Sequence, residues 1–155
     1  MPDAFFRQFA KAKGAWVATT VAGEDAAFAR SLSADRVIDC KAQRFKEEVR
    51  DSDLVLDLMA GETQDRSWAV SKEGGRMVST LAPPSEEKAH RHKVSGTNFM
   101  AQPNQAQLGG IGRVIDAGQV RGAVARSFPL SEVRAAQRQL ENDHVRGTVM
   151  LTMAD

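Results

Sequence analysis

Apolar and polar positions change period along this chain in a regular way. In residues 4–13, AFFRQFAKAK, Phe5, Phe6, Phe9 and Ala10 share one face of a helical repeat while Arg7, Lys11 and Lys13 lie elsewhere, and Gly14 follows as a stop. This predicts a short helix with a basic end. Ala15–Val21 is a β-rich run closed by Ala22-Gly23 and reads as a strand. Glu24–Leu32 places Ala27, Phe28 and Leu32 at helical spacing, with acids in the first turn where they suit the positive end of the dipole. Arg36–Asp39 reads as a strand, Gln43–Val49 as a short helix and Asp53–Met59 as a strand of the buried type. A helix over Glu62–Val70 follows, then a Gly74-Gly75 turn, a strand at Arg76–Leu81, a Pro83-Pro84 break, a polar loop through Lys93 and a strand over Val94–Met100. The remainder predicts a helix over 103–117, a strand over 122–128, a helix over 131–141 opened by Ser131, and a last strand over Thr148–Met153.

Strands alternating with helices of about ten residues argue for βαβ units joined by right-handed crossovers. The expected class is α/β: a Rossmann-like, mostly parallel sheet with helices on both faces. In such sheets ligands lie beyond the carboxyl ends of the strands, so the loops after Thr20, Asp39, Met59, Leu81 and Met100 are the functional search space.

Composition narrows the function classes. At 155 residues the chain is the size of one domain and needs no disulfide or metal to fold. A formal net charge of +1, without long runs of one sign, provides no whole-molecule field to gather nucleic acid or an anionic membrane, and neither partner is expected. The lone cysteine, Cys40, excludes an intramolecular disulfide and suits a reducing cytoplasm. The opening MPDAFFRQFAKAKGA lacks the pattern of a secretory signal, and no stretch of about 18 apolar residues occurs.

Five fragments in fixed order carry a resemblance: AKAKGAWVATT, LSADRVIDC, DLVLDLMAGET, SWAVSKEGGRMVSTLAPP and RGTVMLTMAD. Together the chain resembles the C-terminal half of the medium-chain dehydrogenase/reductase superfamily, and most of all its zinc-independent quinone oxidoreductase branch. The usual patterns of that branch run close to AKAxGAxVIAT, LGADxVIDY, VLDTVGGET, LKPGGRLVS and GKIVL. The resemblance implies the cofactor-binding half of an enzyme in which a GroES-like catalytic domain precedes a Rossmann domain. NADPH or NADH would lie between the two and pass hydride to quinones or activated alkenes. Residues 1–155 are then expected to be a single truncated Rossmann-like nucleotide-binding domain, with the GroES-like part absent or supplied by a separate chain.

By that resemblance Thr20, Cys40, Met59, Ala60, Thr80, Leu81 and Phe99 occupy positions that face the cofactor. Three of them depart from the family pattern. Cys40 stands where the VIDY tyrosine usually lies, and Leu58-Met59-Ala60-Gly61 replaces Thr-Val-Gly-Gly, which removes a hydroxyl and a close-approach glycine. No glycine precedes Gly14, so the Gly-rich turn that lets helix N-terminal amides approach a pyrophosphate is not expected in this chain. After the second family strand, Glu24 and Asp25 would repel an adenosine 2′-phosphate and could instead accept hydrogen bonds from an unphosphorylated ribose. The same acids also suit a plain helix N-terminus.

Other patterns carry less. Leu108-Gly109-Gly110-Ile111-Gly112-Arg113 follows a polar segment rather than a buried strand, so it reads as a weak helix and not as a phosphate loop. His90 and His92 are flanked by Lys88, Arg91 and Lys93, whose charge disfavours a cation, and no metal site is expected. Asp57 with Glu62, and Asp39 with Asp35, are carboxylates near strand ends without a histidine, serine or lysine partner beside them in sequence, so no catalytic residue is assigned.

In the order 3-2-1-4-5-6 the first family strand is central. Without it, Trp16–Val21 moves against Asp53–Met59, another chain lends a strand, or the order is rearranged; the first is simplest, and it would narrow the pyrophosphate crevice so that NADPH or NADH binding is weak or lost. The family also dimerises through its last Rossmann strand, which maps to Val94–Met100, so a homodimer through that edge is expected. Two functions follow. One is the cofactor-binding half of an NAD(P)-dependent oxidoreductase; the alternative is a non-catalytic dimeric Rossmann remnant that serves as a binding or interaction module.

Overall fold

The computed structural model describes residues 3–153. The order of elements is α1 (Asp3–Ala12), β1 (Ala18–Val21), α2 (Ala26–Ser31), β2 (Arg36–Asp39), α3 (Phe45–Glu48), β3 (Ser52–Asp57), α4 (Gly61–Ser67), β4 (Ser71–Ser79), α5 (Glu86–His92), β5 (Ser95–Asn98), α6 (Gln105–Asp116), β6 (Val124–Pro129), α7 (Val133–Asn142) and β7 (Thr148–Thr152). Short 3₁₀ turns at Gly23–Asp25, Trp68–Val70 and Leu130–Glu132 join neighbouring elements. The α/β class and the βα alternation are those expected. Residues 1–37 with 106–155 form one compact unit, and residues 38–105 form a second.

In the first unit α1 is amphipathic and is tied to β1 by specific bonds. Asp35 accepts from the Val17 N–H at 2.7 Å and from Lys11 Nζ at 2.9 Å, and the Arg7 guanidinium donates to Thr19 Oγ1 at 3.3 Å. Gln8 bridges to Arg121, accepting its N–H at 3.0 Å and donating to its carbonyl at 3.1 Å. Val17, Val21, Ala29, Leu32, Val120, Phe128 and Ala136 are buried there. β6 and β7 pair in parallel as a separate two-stranded sheet, with Phe128 opposite Leu151.

β1 pairs with β2, β3 pairs with β4, and the two ladders belong to different sheets. The bonds from Lys11, Asp35 and Arg7 fix the position of β1 against α1, its own neighbour in the first unit. The strand is also shorter than expected, since Trp16 lies outside it and is 63% exposed.

The second unit carries a three-stranded parallel sheet in the order β3-β4-β5, with Leu54, Val55, Leu56 and Asp57 opposite Arg76, Met77, Val78 and Ser79, and these opposite Ser95–Asn98. Its core is Trp68, Met77 and Val94, against which Val55 and Ala89 pack; His92 stacks on the Trp68 ring with centroids 6.1 Å apart.

Two local expectations are corrected here. Gly74-Gly75 is not a turn ahead of a strand but a bulge inside β4, where the register jumps from Ser52–Ser71 to Leu54–Arg76. Gly74 takes φ +76°, and a Cβ on Gly75 would lie 2.8 Å from the Lys72 carbonyl oxygen, so a positive φ and then a close approach demand both glycines. The polar segment before Lys93 is helix α5, not loop. Its Ser85 hydroxyl caps the Lys88 N–H at 3.3 Å, acids fill its first turn, and Lys93 closes it in the left-handed conformation.

Candidate functional site

The register of β3, β4 and β5 brings Asp57, Ser79 and Asn98 side by side at the carboxyl ends of three adjacent parallel strands. Because the three strands run parallel in this register, the residues that follow each strand share one rim. Five of the sequence-predicted residues lie on it: Met59 and Ala60 after β3, Thr80 and Leu81 after β4, and Phe99 after β5. Met59, Leu81 and Phe99 are 69%, 66% and 54% exposed.

A buried polar network holds this rim. Asp57 is 4% exposed, and one carboxylate oxygen accepts the N–H groups of Met59 and Ala60, each at 3.0 Å. The other accepts Ser79 Oγ at 2.8 Å and Gln64 Nε2 at 2.9 Å. Gln64 donates onward to the Ala82 carbonyl at 3.3 Å. Ser79 carries the connection to the third strand, because its carbonyl accepts the Phe99 N–H at 2.8 Å and Asn98 Nδ2 at 3.1 Å. Burial by itself would raise the Asp57 carboxyl, but the two backbone and two side-chain donors prevail and hold it below its ordinary value of 3.8.

The turn that Asp57 holds is strained. Ala60 stands at φ +57°, ψ −166°, at the border of a region populated essentially by glycine, and Gly61 follows at φ +55°. The Gln64 N–H donates to the Ala60 carbonyl at 3.4 Å, so the residue is fixed from both sides.

The other expected residues lie elsewhere. Cys40 is exposed just after β2, on the same unit as the rim but not in its network. Thr20 is an exposed residue of β1 in the first unit. The two acids read as ribose acceptors have different fates. Glu24 is exposed, whereas Asp25 is 3% exposed and already engaged, with Arg146 Nε at 2.7 Å and His144 Nε2 at 2.8 Å. Burial opposes the charge on Asp25, but the bonds from Arg146 and His144 outweigh it and hold this carboxyl low as well. Burial and the bonds from His144 and Arg146 leave Asp25 little exposed to a ribose hydroxyl, and its pairing with Arg146 offsets the repulsion that it would exert on a phosphate. Among the described residues no three His, Cys, Asp or Glu side chains gather in metal-binding geometry. The Leu108–Arg113 glycines lie within helix α6, as their polar context indicated.

Parallel strands alternating with helices define a Rossmann-like α/β fold. The family profile described as zinc-binding dehydrogenase matches residues 32–151, and the chain belongs to that family, within the medium-chain dehydrogenase/reductase superfamily. The chain is 30% identical to mouse "NAD(P)H oxidoreductase RTN4IP1, mitochondrial" over 96% of its length and 44% of the relative's. It is 26% identical to "Probable zinc-binding oxidoreductase, mitochondrial" of Arthroderma benhamiae over 80% of its length and 40% of that protein's. Among solved structures, the quinone oxidoreductase from Coxiella burnetii superposes with a TM-score of 0.85 at 28% identity, covering 97% of this chain and 49% of that one. The chain thus spans less than half the length of these relatives.

Proposed function

We propose that residues 1–155 are a single Rossmann-like domain that acts as the cofactor-binding half of an NAD(P)-dependent oxidoreductase, with hydride transfer completed by a GroES-like catalytic part. The single observation that carries this reading is the shared rim of β3, β4 and β5, where Met59, Ala60, Thr80, Leu81 and Phe99 stand together beyond the strand ends. Apolar side chains facing water at strand ends suit the faces of a planar ring, and the exposed hydroxyl of Thr80 suits its polar substituents. The rim residues therefore fit a nicotinamide dinucleotide, NADPH or NADH, which when bound would supply the hydride. In this chain they would bind and orient the ring and exclude water from its face. Thr20 and Cys40 are assigned to the cofactor by family resemblance alone.

The proposal includes a homodimer through the Val94–Met100 edge. Its strand β5 pairs on one side with β4, and all four of its residues are exposed. The reading also places the chain in the reducing cytoplasm, although the relatives above carry mitochondrial names. No helix among the described residues is long and apolar enough to cross a membrane.

Isothermal titration of the 155-residue protein with NADPH and with NADH, alongside light scattering, tests this reading. Micromolar affinity for either cofactor by a dimer supports it. A folded dimer that binds neither at millimolar concentration leaves the non-catalytic interaction module instead.

A further inference from the structure

We propose that Asp57 is a positioning residue for the dinucleotide: its buried carboxylate locks the Met59-Ala60 turn and the end of β4 into the one arrangement that presents the rim. The inference rests on the cofactor reading above and gives it a physical device. Four donors converge on one carboxylate that is nearly solvent-free, and they come from three places in the chain: the turn after β3, helix α4 and strand β4. An acceptor with two oxygens and four lone-pair sites is saturated by this set, and no neutral side chain of the same size offers four acceptor positions. Asparagine would replace one oxygen with an amino group, which would face donors from Ser79 and Gln64 or from the two amides.

The arrangement has consequences at two positions on the rim. With its N–H aimed at Asp57, Ala60 is kept in a glycine-like conformation that a free alanine would leave. Through Ser79, whose carbonyl holds Asn98 and the Phe99 N–H, the same carboxylate reaches the third strand. Asp57 itself touches no ligand in this account. It sets where Met59, Ala60 and Leu81 stand, and a rim misplaced by about 1 Å loses much of its binding.

The test is a fluorescence titration of the 155-residue protein with NADPH and NADH, comparing wild type, Asp57→Asn, Gln64→Met and Val70→Ala. Val70 is buried outside the network, 5% exposed, so its truncation lowers stability without touching the rim. The expected result is a Kd raised by about tenfold or more in Asp57→Asn and by about threefold in Gln64→Met, with Val70→Ala within twofold of wild type although it melts earlier. Gln64→Met keeps the test open if Asp57→Asn does not fold. Equal Kd values in the network variants and wild type, or a Val70→Ala shift as large as theirs, would overturn the proposal.

Melting curves give a second readout that needs no cofactor. If Asp57 holds Ala60 under strain, part of the Tm loss from Asp57→Asn, or from Gln64→Met, is offset by relaxation of the alanine, so the loss grows in an Ala60→Gly background, where no strain is left to release; additive losses would show that the carboxylate does not set the turn. Wild-type protein that binds neither cofactor refutes both the cofactor reading and the dinucleotide role of Asp57. The coupling then shows whether the turn itself is held as described.

Discussion

Replacing Ala60 with glycine isolates the strain at the rim in a single atom group. In the present chain Ala60 sits at φ +57°, ψ −166°, a conformation in which a Cβ costs on the order of 1–3 kcal/mol. Glycine removes that cost but widens the unfolded ensemble, which returns about 0.4–1 kcal/mol, and it gives up a half-buried methyl group worth less than about 0.8 kcal/mol. With strain near the middle of its range, Ala60→Gly stabilises the protein by about 1 kcal/mol. For a chain of this size that raises Tm by about 2–4 °C. Paired thermal melts followed by circular dichroism, supported by urea titrations to confirm an unchanged m-value, measure the effect. This sign is opposite to the usual one for introducing glycine, so the outcome is diagnostic. An unchanged or lower Tm would refute the claim that the turn is strained, and with it the argument that Asp57 holds Ala60 against its preference.

Further outcomes follow from other contacts. Gly75→Ala places a methyl group 2.8 Å from the Lys72 carbonyl oxygen and 3.1 Å from that of Ser52, and overpacking against backbone should lower stability by about 1–3 kcal/mol in the same melts. Gly112→Ala lies within helix α6 with open space around the new Cβ, and helix propensity predicts a gain of about 0.8–1 kcal/mol. Arg146→Met leaves buried Asp25 with His144 alone, a loss of about 1–3 kcal/mol by urea denaturation at neutral pH. Asp25 and Asp57 both have folded pKa values below the ordinary 3.8, so their contribution is fully present above that pH and is lost as pH falls below it; a pH series of melts should show Tm dropping in that range, and less steeply in Asp57→Asn.

The order of elements was legible because hydrophobic period is a local property. Alternation of β-rich runs with helical spacing marked β2 at its observed bounds, and the apolar Asp53–Met59 run located β3 within two residues. Helix α5 was missed because it has no apolar stripe of its own; the signal available was the Ser85 cap followed by two acids and, at the far end, a cluster of bases. Burial networks were illegible for a different reason. Asp57 meets Gln64 and Ser79, which lie 7 and 22 residues onward, and Asp25 meets His144 and Arg146, which lie 119 and 121 onward. No spacing rule links such positions, so Asp57 looked like an unpartnered strand-end acid and Asp25 like a free helix-start acid. The anchoring of β1 was illegible for the same reason, since it depends on Asp35 and Lys11, which only the folded chain brings together.

Amide chemical-shift mapping of the isotope-labelled 155-residue protein during titration with NADPH, and separately with NADH, tests the central claim most directly. The account predicts saturable shifts concentrated at Met59, Ala60, Thr80, Leu81 and Phe99, with the first unit's β6–β7 sheet unmoved. Absence of shifts at millimolar cofactor, or saturable shifts centred on β6 and α7 instead of this rim, would contradict it.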